Sequence, residues 1–151
     1  MSDNAVNIIR ATLEHLNDAS SLFDSYRAFY GQPRAPKSGL RFLIERLRQE
    51  DSVIYLARKD GIGAGFMQLY PSFSSISLKR LWILNDLFVA PECRHQGVAT
   101  ALLSRARQHA LETDAKGLVL STETDNEPAQ RLYERMGWKR EQDFCLYYLH
   151  V

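Results

Sequence analysis

The chain predicts a single α/β domain, 1–151, built on a central mixed sheet of about seven strands flanked by about four helices. Three observations predict it. Short apolar runs of strand length alternate with longer stretches whose apolar residues recur at helical spacing. The order strand, helix, strand over Leu81–Val89, Val98–Thr113 and Leu118–Thr122 calls for a parallel pair joined by a crossover. A length of 151 residues, 45% hydrophobic and 25% charged, is enough for one full core and is not the composition of a disordered chain.

A net charge of +1 argues against nucleic acid or a membrane surface as the main partner. The start Met1 to Val6 is polar, and no apolar run is long enough for a membrane span, so a cytoplasmic address is expected. Cys93 and Cys145 have neither disulfide nor metal-ligand spacing and are expected as free thiols; no metal site is expected.

Val6–Arg10 reads as the first strand, with a turn at Thr12. Leu13, Leu16, Ala19, Leu22, Phe23, Tyr26 and Phe29 then mark one face of a helix that stops near Gly31-Gln32-Pro33. At its end Arg27, Tyr30 and Gln32 put polar tips beside a loop, next to Tyr26 and Phe29 on the apolar stripe, and the cluster either lines an acceptor pocket or simply packs. A second helix is predicted from Ser38 as cap, with Leu40, Phe42, Leu43 and Leu47 inward. Val53–Ala57 and Gly63–Tyr70 read as a hairpin around Lys59-Asp60-Gly61, and Pro71–Ser75 reads as a connection.

Leu81–Val89 is apolar on both alternating faces and should be a central strand. Asn85 and Asp86 interrupt it. Buried polar groups need partners, so these two either close hydrogen bonds at a strand irregularity or face a cavity. Pro91 ends the strand, and a polar arm, Arg94-His95-Gln96-Gly97, leads into a helix beginning Val98-Ala99-Thr100 and ending near Thr113, with Val98, Ala99, Leu102, Leu103, Ala106, Ala110 and Leu111 inward. The first amides of a helix have no internal partner and lie at the positive end of its dipole, so this junction is an anion site. Gly97 and Ala99 are small, Arg94 offers a charged fork and Gln96 a further donor. After Leu118–Thr122, Asn126 caps a helix with Pro128 in its first turn and Gly137 at its end. Trp138–Arg140 and Phe144–Val151 should be the last strands. The latter could also pair across a homodimer.

Arg94-x-x-Gly97-x-Ala99 resembles the acetyl-CoA signature of the GCN5-related N-acetyltransferases, and Asn126-x-x-Ala129-x-x-x-Tyr133-x-x-x-Gly137-Trp138 is similar to the block that follows the coenzyme helix in that family. The stretch Trp82–Val89 looks like the diamine and polyamine branch, in which a carboxylate pair stands where this chain has Asn85-Asp86. The resemblance implies an acetyl-CoA-dependent transfer to a primary amine, small or lysine-like. It implies that coenzyme is held by Leu87, Phe88, Val89, the arm and helix start from Arg94 to Thr100, Asn126, Ala129 and Tyr133.

The chemistry needs a group to take a proton from the acceptor ammonium, and Asp86 is the candidate, directly or through water. It needs a donor to the thioester oxygen, expected among the amides of Leu87 to Val89. It needs an acid for the leaving thiolate, for which Tyr133 is the candidate, since a phenol titrates within about 2 units of a thiol. Tyr26, Arg27, Tyr30, Tyr70, Asn85 and Asp86 are the expected acceptor-side residues, for a small-molecule or peptide amine. Two other readings stay open: a non-catalytic acyl-CoA sensor, and a transferase for protein amino termini or lysines.

Overall fold

The computed structural model describes residues 5–151, so the start Met1–Asn4 lies outside the described residues. Contacts within the chain define two compact units, Met1–Ser121 and Thr122–Val151.

The first unit is built on a five-stranded sheet in the order β1 (Asn7–Arg10), β2 (Val53–Lys59), β3 (Ile62–Ser74), β4 (Lys79–Val89) and β5 (Gly117–Val119). Neighbours β1 to β4 are antiparallel, and β4 with β5 is parallel, which makes the sheet mixed. Asp60 and Gly61 both have positive φ, 53° and 74°, the requirement of a tight hairpin turn between β2 and β3. Pro71 does not end β3, as the sequence reading had it; the strand runs on to Ser74, with Pro71 opposite Trp82. The ladder with β2 ends at Leu69, so beyond it β3 is an edge on that side and tolerates a proline.

Period two sorts the side chains. Ile54, Leu56, Phe66 and Phe88 enter one core with Leu22 and Phe23 of α1 (Leu16–Phe29) and Leu43 of α2 (Pro36–Gln49). Tyr55 belongs to the opposite face, where its hydroxyl meets His109 of α3 (Val98–Glu112) at 2.8 Å. Sheet residues covered on both faces explain the unbroken burial of Val53 to Ala57. On α3 the inward stripe is Val98, Leu102, Leu103, Ala106, His109 and Ala110, while Leu111, expected inward, is exposed.

Helix α2 begins at Pro36, earlier than the expected Ser38 cap. A proline needs no amide partner in the first turn, and the Ala35 amide is capped from a distance: it donates to Asp24 Oδ1 at 3.1 Å, while Arg34 Nη1 donates to Oδ2 at 2.9 Å. The Arg34 hydrogen bond and then the Ala35 amide hold the Asp24 carboxyl below the usual carboxylate range.

The second unit contains α4 (Glu127–Arg135). Asn126 caps it by accepting from the Ala129 amide at 3.3 Å, Pro128 lies in the first turn, and Gly137 ends it at φ 94°. The expected strands Trp138–Arg140 and Phe144–Val151 are absent, and the expected strand to Thr122 stops at Val119, so the described residues hold five strands, not about seven. Apolar alternation makes a segment able to pair but supplies no neighbour. In 139–151 no ladder forms, and Phe144, Leu146, Tyr147, Tyr148 and Leu149 are exposed.

Candidate active site

The register of β3 against β4 slips at one place. Gln68 faces Asp86 and Leu69 faces Leu84, so Asn85 is an extra residue in β4, a bulge. Of the two alternatives read from the sequence, the irregularity with closed hydrogen bonds is the one formed. Asp86, only 5% exposed, accepts from Gln68 Nε2 at 2.7 Å through Oδ2 and from Asn85 Nδ2 at 3.1 Å through Oδ1. The Tyr26 phenol lies near enough to feel its charge. Gln68 is fully buried, and its Oε1 accepts from Ser52 Oγ at 2.7 Å.

Aromatic rings surround this carboxylate. Tyr26 packs edge-on against Phe66 and Tyr30, with centroids 5.6 Å and 5.1 Å away, and lies 5.9 Å from Phe88. Burial first, then the charge of Asp86, push the Tyr26 phenol far up. Tyr70 is pushed up to about 12, again chiefly by burial and then by the charge of Asp86. Both therefore stay protonated donors at neutral pH. Tyr30 and Phe29, at 50% and 62% exposure, form an outer rim. The structure thus gathers Tyr26, Tyr30, Tyr70, Asn85 and Asp86 in one unit. Arg27 turns elsewhere, donating from Nη1 to the Pro33 carbonyl at 3.5 Å.

Below Asp86, β4 runs into the arm. Its pairing with β5 covers only Leu81 to Ile83. The Ala90 amide donates to Ala64 O at 2.8 Å, so alternation turns the main-chain groups of Leu87 and Val89 away from β3. Val89 O accepts from Arg94 Nε at 3.2 Å, and the Arg94 guanidinium lies over the Phe29 ring at 5.3 Å. Arg94 is thereby anchored, with its guanidinium at the arm. The Gln96 side chain closes the arm on itself: Nε2 donates to Glu92 O at 3.2 Å, and Lys59 Nζ donates to Oε1.

His95 and Gly97 have φ 61° and 82°. At Gly97 an added Cβ would meet nothing within 4 Å, so the space before the helix is open, and the left-handed backbone favours glycine. Helix α3 has no capping side chain and no acid in its first turn. Its first internal bond runs from the Ala101 amide to Gly97 O at 3.0 Å, which leaves the amides of Val98, Ala99 and Thr100 ahead of the ladder. An uncapped helix start with an open glycine and a neighbouring guanidinium fits a diphosphate.

Tyr133, Asn126 and Ala129 belong to the second unit, where the Tyr133 ring lies 6.1 Å from Trp138 and the Trp138 amide donates to Tyr133 O at 3.0 Å. Gln68 and Ser52 were not legible as site residues. Each is a lone polar residue at a strand or its edge, and only the strand register brings them to Asp86.

Among the described residues no helix is long and apolar enough to cross a membrane, no group of side chains could hold a metal ion, and Cys93 and Cys145 are free. The model of the family described as "Acetyltransferase (GNAT) family" matches residues 19–138. The Bacillus subtilis (strain 168) protein described as uncharacterized N-acetyltransferase YhfO is 42% identical over 146 residues, 97% of this chain and 98% of its own. A crystal structure of a probable acetyltransferase is 52% identical with a TM-score of 0.92, covering 96% of this chain and 97% of that one. The aminoglycoside N-acetyltransferase AAC(6')-Iy in complex with CoA shares the fold at 19% identity and a TM-score of 0.79, over 97% and 96% of the two chains. Matched by the family model over most of its length and by a relative covering nearly all of it, the chain belongs to the GNAT acetyltransferase family and is an acyltransferase that uses acetyl-CoA.

Proposed function

We propose that the protein moves an acetyl group to a primary amine, of the polyamine type or lysine-like, by direct attack in a ternary complex. The observation that carries this reading is the placement of Asp86, a carboxylate buried at the β4 bulge among Tyr26, Tyr30 and Tyr70, on the strand that leads into the arm. A carboxylate with aromatic walls suits a cation. An amine with a pKa near ~10 arrives as an ammonium and must lose a proton before it can attack.

Asp86 takes that proton, directly or through a water. Bound acetyl-CoA supplies the acyl group activated as a thioester. The amides of Val98, Ala99 and Thr100, with Arg94, His95, Gln96 and Gly97 forming the arm, hold its diphosphate; Asn126 and Ala129 add to the coenzyme surface. A main-chain amide of Leu87 or Val89, with Phe88 between them, stabilises charge that builds on the acyl oxygen. Tyr133 protonates the leaving thiolate. Positioning and proton handling suffice, so no serine or cysteine nucleophile takes part.

The exposed rim of Phe29 and Tyr30 favours a second reading, in which the amine belongs to a peptide terminus or lysine. The free thiols Cys93 and Cys145 support a cytoplasmic address, and the exposed apolar strip from Phe144 to Leu149 supports a homodimer, which sedimentation would test.

Thiol release from acetyl-CoA against a panel of polyamines, aminoglycosides and peptides tests the reading. Release with small polyamines is expected. Release with peptides alone would move the acceptor to protein amines, and coenzyme binding without release with any amine would leave an acyl-CoA sensor. Tyr133→Phe should lower kcat about 100-fold while coenzyme affinity in calorimetry falls far less; a variant with full activity would remove Tyr133 from the mechanism.

A further inference from the structure

Gln68 joins two polar side chains that nothing else connects. Its Nε2 donates to Asp86 Oδ2 and its Oε1 accepts from Ser52 Oγ, both at 2.7 Å, and neither Gln68 nor Ser52 is more than 6% exposed. A buried amide has a donor end and an acceptor end, and the network decides which faces which partner. With Asp86 ionised only the donor end can face it, since two oxygens would repel. Ser52 has a hydroxyl hydrogen to give to the other end.

The chain of groups is also satisfied the other way round. If Asp86 holds a proton, it donates to Gln68 Oε1, and Gln68 Nε2 donates to Ser52 Oγ, because a hydroxyl accepts as readily as it donates. Neither arrangement strands a buried polar atom, so the carboxyl can gain and lose a proton without a desolvation penalty on its neighbours. An apolar residue in place of Gln68 would leave Ser52 and one Asp86 oxygen without this partner.

We infer that Gln68, oriented by Ser52, is a positioning residue that fixes the direction of the Asp86 carboxylate and adapts to its protonation during turnover. This rests on the reading of Asp86 as the proton acceptor. Other titratable groups face the same region: Tyr26 from α1 and Tyr70 on β3, with the Arg46–Asp51 ion pair, 2.9 Å, acting on Tyr70. Both phenols are pushed up, Tyr70 to about 12, so neither titrates on the acid side of a rate profile.

The test is the pH profile of kcat/KM in thiol release, together with the carbon-13 titration of the Asp86 carboxyl, in the full-length protein. Gln68→Met keeps the volume and removes the partner of both forms; the bond to the ionised carboxylate is the stronger of the two, so both curves should move about 1 pH unit upward. Ser52→Ala should move them in the same direction by less, Ser52→Thr should restore them, and coenzyme affinity should stay within about twofold throughout. Curves that stay in place in Gln68→Met, or in Ser52→Ala should Gln68→Met fail to fold, would overturn the inference. A carboxyl titration that moves while the rate profile does not would uphold Gln68 as the clamp and remove Asp86 as the proton acceptor.

Discussion

The bulge around Asp86 and the start of α3 are joined by the stretch Leu87 to Gly97, yet they are finished in opposite ways. At the bulge the Asp86 carboxylate meets two side-chain donors, from Gln68 and Asn85, with the Tyr26 phenol beside it, and the Gln68 amide is itself tied to Ser52. At the helix start the first amides have no capping side chain, and the glycine before them opens onto unfilled space. A site that handles a proton must hold one group still in a dry setting, so its neighbours close on it. A site that accepts a large anion must keep its donors uncommitted until the anion arrives. The side chains at the helix start differ in the same way: Gln96 and Arg94 brace the arm, and the main-chain amides of Val98 to Thr100 stand ahead of the helix ladder.

Substitutions should separate the two regions. The largest effect is expected from Gly97→Glu, which forces a side chain into a left-handed position and puts a carboxylate before the uncapped amides. Coenzyme binding should disappear from calorimetry while the Asp86 network stays formed; retained affinity would break the assignment of the arm. Asp86→Asn should do the converse, lowering kcat/KM by ~100-fold or more at neutral pH with coenzyme affinity unchanged. Full activity there would sink the proton-acceptor role.

Gly65→Ala should fail to separate them. A Cβ on Gly65 would lie 2.6 Å from the Phe88 carbonyl and 3.1 Å from Val98 Cγ1, so it pushes at once on β4 and on the first residue of α3. A destabilisation of about 1–3 kcal/mol in denaturant unfolding, with weakened coenzyme binding, is expected. Normal stability and binding would show that the two regions can shift independently.

The smallest effect concerns the background against which acid-side activity is read. Burial first, then Arg10 and Arg105, push His109 down to about 4, and its Nε2 has no hydrogen-bond partner among the described residues. Its folded value lies below the ordinary 6.5, so on acidification the unfolded chain binds the proton first. Stability should be full above about pH 6.5 and fall toward pH 4, seen as a falling Tm. His109→Gln, which keeps an acceptor for Tyr55, should flatten that slope, whereas an unchanged slope would assign it to other groups.

Much of the scaffold was legible in advance because its signals are local. Pro91 and Gly97 mark the end of a strand and the start of a helix, and Asn126, Pro128 and Gly137 bound α4, since caps and punctuation depend only on neighbouring residues. The polar pair Asn85-Asp86 within an apolar run called for either an irregularity in β4 or a cavity, and the pairing register forms the bulge. Three features did not follow from local pattern. The carboxylate that takes the Ala35 amide just before α2 is Asp24, on another helix; His109 sits in the core where Leu111 was expected; and the apolar alternation of Phe144–Val151 forms no ladder.

The sequence by itself determined the family, the coenzyme and the polar interruption of β4, because each is written in contiguous residues whose spacing carries the chemistry. Only the tertiary structure decided who holds Asp86. Ser52, Gln68 and Asp86 come from three separate stretches, and the distance between them is set by strand register, a property of pairing between segments that no one segment contains.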